Sequence, residues 1–150
     1  MACLLARQAM VLSPDLKLLL RLGTAVLCGM VVGLNRAHHG GTPHPNRLRV
    51  HVLVALSACL MVLAAGDHPD ARSRTIQGVA TGVGFLGAGE IMGPNREVDR
   101  GTPEVRGLTS AASIWFSAAL GVTVAASSPM LAATALVLAM ITLTKHNNHQ

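Results

Sequence analysis

The sequence predicts an all-α membrane protein, a polytopic helical bundle of about five transmembrane helices forming a single domain. Three observations predict it. Hydrophobic residues make up 51% of the 150 residues and charged residues 13%, against about 25% charged in a typical globular domain. The mean hydropathy is +0.48, and seven acidic residues leave too little polar surface to cover a water-soluble particle. The stretch 108–144 runs for 37 residues without Asp, Glu, Lys, Arg or His. Disordered, fibrous and coiled-coil classes fail on the same composition. A disulfide-stapled secreted domain fails too, because Cys3, Cys28 and Cys59 are odd in number and sit singly in apolar surroundings.

A spanning helix needs about 20 mostly apolar residues, at about 1.5 Å rise each, to cross about 30 Å of hydrocarbon. The first helix is expected over 16–34, with Lys17 and Arg21 near one end snorkelling to the interface. The second covers 50–65, short for a full crossing, and the third 75–92. The uncharged stretch is too long for one crossing and is read as a hairpin, 108–126 and 130–144, broken at Ser127-Ser128-Pro129. Proline disfavours helical geometry in the residue before it, so the break belongs there. Polar, Gly/Pro-rich loops occupy 35–49, 66–74 and 93–107, and 145–150 is a short tail. Met1–Leu12 carries Arg7 in its middle and no evident cleavage site, so a cleaved signal is not expected.

The twelve Lys and Arg give a formal charge of +5 and a pI near 10.1. They are scattered in ones and twos, and only Phe85, Trp115 and Phe116 could stack on bases, so nucleic acid is excluded as a partner. Basic loops beside a bilayer explain the excess. With five helices and an external amino terminus, Arg36, Arg47, Arg49, Arg96, Arg100, Arg106 and Lys145 fall inside, seven in all. Arg7, Lys17, Arg21, Arg72 and Arg74 make five outside. That balance favours a cytoplasmic carboxyl terminus.

Gly82-Val-Gly84-Phe-Leu-Gly87 matches the dinucleotide fingerprint in letters. The fingerprint needs a strand before it and a second strand after, and neither is present. The same glycines read better as packing surface. At about 100° per residue, Gly78, Gly82, Gly89 and Gly93 share one stripe, with Gly84 and Gly87 on the other side. Small residues let helix backbones approach closely in lipid. The third helix is therefore expected at the centre of the bundle, with neighbours on two sides. A broken helix lining a cavity is the alternative. Gly29 and Gly33 in the first helix, and Thr109, Ser113, Ser117 and Gly121 in the fourth, form matching faces for the bundle or for a homo-oligomer.

Glu90 is the one acid inside an apolar segment. It either reaches the headgroups from its helix end, pairs with Arg36 or Arg106, or contacts an ion. Arg49 and His51 open the second helix as interface anchors, or line a polar cavity. His38, His39 and His44 crowd the first loop without the spacing of a metal site, and His146 and His149 sit in the tail. No nucleophile–base, paired-carboxylate or zinc-protease pattern stands out, so neither enzymatic activity nor a cofactor is expected.

These residues resemble a known group. Gly-Val-Gly-Phe-Leu-Gly-Ala-Gly at 82–89 and Val-Arg-Gly-Leu-Thr-Ser-Ala-Ala-Ser-Ile-Trp at 105–115 are similar to the signature of the MgtC/SapB family of bacterial inner-membrane proteins. Gly33-Leu-Asn35-Arg36 resembles that family's Gly-Leu/Phe-Glu-Arg, and Leu48-Arg49-Val-His51-Val-Leu-Val-Ala55 its Leu-Arg-Thr-(His/Asn)-x-Leu-Val. The match runs in order over nearly the whole chain. Asn35 replaces the family's acid, Val50 its usual Thr, and Glu90 stands where members often carry an apolar residue. The resemblance is to a short form without the soluble carboxy-terminal domain of longer members. It implies a multipass protein of the bacterial inner membrane, linked to growth in low magnesium and, in pathogens, to survival inside host cells. It further implies modulation of other membrane machinery, including the F-type ATP synthase, with the bilayer and a membrane protein or second copy as partners. A cation permease is the alternative.

Overall fold

The computed structural model describes residues 14–38, 45–92 and 107–145. Within them the chain is helical, in the order α1 Pro14–His38, α2 Pro45–Ala64, α3 Pro69–Met92, α4 Leu108–Ala126 and α5 Pro129–Lys145. No strand occurs among the described residues. The motif residues His39, His44, Gly93, Arg96, Arg100, Arg106, His146 and His149 lie outside them, as does Cys3.

Helices α1, α2, α3 and α5 each begin on proline. Proline is accommodated in the first turn, where its missing N–H would have had no partner. This is why the elements start earlier than hydropathy alone suggests. The first turn of α2 carries Asn46 and Arg47, and that of α3 carries Asp70 and Arg72. Polar first turns read as loop on an apolar scale, yet they are sound helix starts, and Asp15 and Asp70 also complement the helix dipole. Helix α2 is consequently 20 residues long rather than a short segment, enough to rise about 30 Å.

The turns follow local chemistry. After α2, Gly66 takes φ 73°, and its N–H donates to the Leu63 carbonyl at 3.1 Å. Gly107 takes φ 86° immediately before α4. Both are left-handed positions that glycine occupies without strain. The hairpin break falls where the sequence places it: Ser127 is extended, and Ser128 Oγ accepts the Met130 N–H at 3.1 Å to cap α5.

Three helical segments, Pro14–His38, Asn46–Ala64 and Leu108–Ala126, are long and apolar enough to cross a membrane, and Pro129–Leu143 is a shorter apolar helix. Burial is inverted relative to a water-soluble protein. Buried polar side chains include His51, Ser110, Ser113 and Ser117, while Leu19, Leu27, Leu53, Phe85, Trp115 and Ile141 lie on the outside. An apolar exterior of this kind faces lipid.

The centre of the bundle is α4, not α3. Helix α4 touches all four other helices and buries Ala111, Ile114, Ala118, Leu120, Gly121 and Val124. The main core gathers Ala25, Cys28 and Val32 of α1, Cys59 and Val62 of α2, Leu120 and Val124 of α4 and Ala132 of α5. By contrast α3 buries Val79 and Val83 and leaves its other described residues half-buried or exposed. The expectation of a centrally packed third helix is thus corrected. Glycine content marks a helix that can be approached closely; which helix has partners inside the chain depends on the path of the loops.

Candidate functional site

Two parallel helices, α2 and α4, bring their first turns to the same end of the bundle, together with the last turns of α1 and α3. Two sets of contacts fix this register. His51 in α2 meets Ser113 in α4, and Gly29 and Gly33 of α1 lie against the His51–Ala55 and Leu48 segments of α2. At this end polar groups collect inside an otherwise apolar bundle.

His51 lies at the centre of this cluster and is only 2% exposed. It lies inside the bundle rather than on its surface, whereas Arg49, two residues earlier, is exposed. The His51 ring is held at both nitrogens. Nδ1 donates to the Arg47 carbonyl at 2.6 Å, since a carbonyl can only accept. Nε2 meets Ser113 Oγ at 3.0 Å. The Ser113 hydroxyl is also 2.8 Å from the Ser110 carbonyl, and Ser117 Oγ donates to the Ser113 carbonyl at 3.1 Å. A buried polar group needs such partners, because an unsatisfied one costs about 1–3 kcal/mol. Around the ring stand Arg36 from α1, Arg47 from α2 and Glu90 from α3, each close enough to act on it electrostatically. Asn35 and Arg36 are half-buried, and the Arg36 Nε is enclosed without a hydrogen-bond partner among the described residues. Glu90 itself is exposed, two residues from the end of α3.

The predicted packing residues divide into two groups. A methyl group built on Gly29 would sit 2.7 Å from the His51 carbonyl oxygen and 2.8 Å from Val52 Cα. On Gly33 it would sit 3.0 Å from Leu48 Cα, and on Gly121 it would run into the Ala55 carbonyl. These glycines are consumed by contacts between α1, α2 and α4. Ser113 and Ser117 are buried on the same α4 face, whereas Thr109 is exposed. On α3, a methyl group built on Gly87 would sit 3.5 Å from Ala111 Cβ. A methyl group built on Gly78, Gly82, Gly84 or Gly89 would meet nothing within 4 Å among the described residues.

Instead of a filled seam, α3 is flanked by two apolar grooves. One of about 290 Å³ separates it from α2, lined by Leu53, Ser57, Met61, Gly78, Gly82 and Leu86 among others. A second, of about 220 Å³, lies between it and α4, walled by Val79, Trp115 and Val122, beside the buried cluster in which Val79 and Val83 meet Ile114 and Ala118.

Two contacts were not foreseen. Ser110 enters the buried network through its carbonyl; its place one turn before Ser113 was the available signal. Arg21 donates from Nη1 to the Ala125 carbonyl at 2.8 Å, closing the end of α4 opposite the histidine. Nothing in the sequence indicates that pairing, which spans 104 positions.

Comparison with known proteins fits this architecture. The profile described as the MgtC family matches residues 22–150. The chain is 48% identical over 110 residues to protein SrpB of Synechococcus elongatus, covering 67% of this chain and 59% of that one. It is 33% identical over 120 residues to protein SapB of Bacillus subtilis, covering 73% and 47%. It is 34% identical over 110 residues to YhiD of Escherichia coli, whose name carries a provisional magnesium-transporter assignment, covering 67% and 46%. The chain thus spans about half the length of the curated relatives it matches. No solved structure matches. With a family match over nearly its whole length and apolar helices suited to a bilayer, the chain belongs to the MgtC family of membrane proteins.

Proposed function

We propose that this chain is a non-enzymatic modulator in the bacterial inner membrane, which docks a helix of a membrane partner on the open glycine face of α3. One observation carries the reading. Gly29 and Gly33 of α1 and Gly121 of α4 are filled by the chain's own helices, whereas a Cβ on Gly78, Gly82 or Gly89, which share one stripe of α3, would meet nothing within 4 Å among the described residues, and Gly78 and Gly82 line the groove beside α2. In lipid no hydrophobic drive brings helices together, so close van der Waals approach over small residues is what holds them. Glycine in a helix interior costs about 0.5–1 kcal/mol relative to alanine. An unfilled stripe of glycine therefore makes most sense as a surface for another helix. The distribution of Lys and Arg supports an external amino terminus and a cytoplasmic carboxyl terminus, with Arg36 and Arg49 at the cytoplasmic rim facing acids or lipid phosphates. The family resemblance supports a role in low-magnesium growth and stress survival, with the F-type ATP synthase as the partner to test.

In nanodiscs, purified F-type ATP synthase is expected to co-purify with the wild-type chain and not with Gly82→Leu. The variant should keep its helicity and thermal stability, because the added Cβ meets nothing within 4 Å among the described residues and the groove beside it has room for the rest of the side chain. Capture that survives in a folded Gly82→Leu protein would overturn the docking face. The polar cluster of Glu90, His51 and Arg36, together with the name of the Escherichia coli relative, supports a cation permease as the second reading. It is separated by flux into proteoliposomes holding magnesium- and pH-sensitive dyes. Flux above empty liposomes that falls in Glu90→Gln would favour the permease, and no flux from folded, inserted protein would remove it.

A further inference from the structure

The His51–Ser113 pair holds a proton ambiguity that the geometry resolves. Because Nδ1 faces a carbonyl oxygen at 2.6 Å, it carries hydrogen in either charge state of the ring. The neutral ring must then be the Nδ1–H tautomer, with a bare Nε2. The Ser113 hydroxyl has one hydrogen and two acceptors within reach, Nε2 at 3.0 Å and the Ser110 carbonyl at 2.8 Å. With the ring neutral, the hydroxyl donates to Nε2. With a proton on Nε2, the ring donates to Oγ and the hydroxyl turns to the Ser110 carbonyl. Either arrangement satisfies both ring nitrogens, and the exchange needs only rotation about the Cβ–Oγ bond.

We propose that Nε2 of His51 is a reversible proton-binding site inside the bundle, with Ser113 as its hydroxyl rotor and α3 as the element that responds to its charge. The step is balanced by solvent: a hydronium ion at the rim gives up H⁺ to the Nε2 lone pair, and water takes it back. Among the described residues, the charged groups facing the ring are Arg36 on α1, Arg47 on α2 and Glu90 on α3, while α4 contributes serines and no charge. Burial of the ring opposes the added proton most, Arg36 and Arg47 oppose it further, and Glu90 favours it. Helices α1 and α2 cannot respond, since Gly29 and Gly33 already bring their backbones into contact. Helix α3 is the looser element: Ala58 of α2 shares a buried cluster with its Val79 and Val83, but a groove of about 290 Å³ opens beside them. Protonation draws the Glu90 end of α3 toward α2 and narrows the groove that Gly78 and Gly82 line. The consequence for a docked partner rests on the docking reading of α3; the proton site and the movement of α3 do not.

The test uses the full chain alone in bicelles, so its failure is distinct from failure of partner capture at fixed pH. Imidazole ¹⁵N spectra are recorded across a pH titration, with the His51 ring assigned by its loss in His51→Gln. The expected neutral form is the Nδ1–H tautomer, and Ser113→Ala is expected to weaken proton binding about tenfold by leaving the charged Nε2–H without an acceptor. Spin labels at Leu60 and Phe85, both exposed, are expected to approach on acidification in the wild type and not in His51→Gln. A neutral Nε2–H tautomer, or a ring that does not titrate, would overturn the site. An α2–α3 distance that follows pH equally in His51→Gln would overturn its link to α3. The tautomer is read on the unmutated chain, so a variant that folds poorly does not affect it.

Discussion

Replacing Gly121 and Gly82 by alanine, one at a time, should move stability in opposite directions. At Gly121 the new Cβ would stand 3.0 Å from the Ala55 carbonyl carbon and 3.1 Å from the Cys59 nitrogen, and closer still to the Ala55 oxygen. Ordinary contact begins near 3.4 Å, and these are backbone atoms, so no rotamer change relieves the overlap. Helices α2 and α4 must separate. Overpacking of this kind costs about 1–3 kcal/mol, and the backbone clash puts it at the upper end. The helix preference of alanine over glycine returns at most ~1 kcal/mol, leaving a net loss of about 2 kcal/mol. At Gly82 the new Cβ meets nothing within 4 Å among the described residues, so the helix preference stands alone and alanine gains up to ~1 kcal/mol. The two variants should therefore differ by about 3 kcal/mol, on the order of a hundredfold in the unfolding equilibrium. Denaturation in mixed micelles by increasing dodecyl sulfate, followed by Trp115 fluorescence, measures the difference. If Gly121→Ala proves as stable as Gly82→Ala, the distinction between filled and open glycines is wrong.

Two further outcomes follow from the same packing. Arg21→Met keeps an apolar stem but removes the donor to the Ala125 carbonyl, and should cost about 1–3 kcal/mol in the same denaturation assay; an unchanged midpoint would mean that Arg21 does not help hold α1 to the end of α4. In a Cys3→Ser background, Cys28 and Cys59, 5% and 0% exposed, should resist maleimide in bicelles and react fully in dodecyl sulfate. Rapid labelling of the native protein would contradict the α1–α2–α4 core.

Much of this protein is legible in its sequence. Composition placed it in a bilayer, and the uncharged run with Ser127-Ser128-Pro129 in its middle marked the α4–α5 hairpin, because proline and serine act through their immediate neighbours. The Gly/Arg motifs pointed to the family. Hydropathy misplaced the helix starts, since a proline-led polar first turn is helical and yet looks like loop. What the sequence could not decide was which small-residue faces are filled. Gly29 and Gly82 sit in similar local surroundings, yet one abuts a backbone and the other opens onto a groove. That difference depends on which helices the chain folds against each other, and no local pattern encodes it. The same holds for His51: its position near a helix start suggested an anchor at the interface, and only the register of α2 against α4 brings Ser113, 62 positions away, to its ring. Local stereochemistry and hydropathy act over a few residues and are written in the sequence, whereas a contact between helices is set by the mutual fit of the whole bundle.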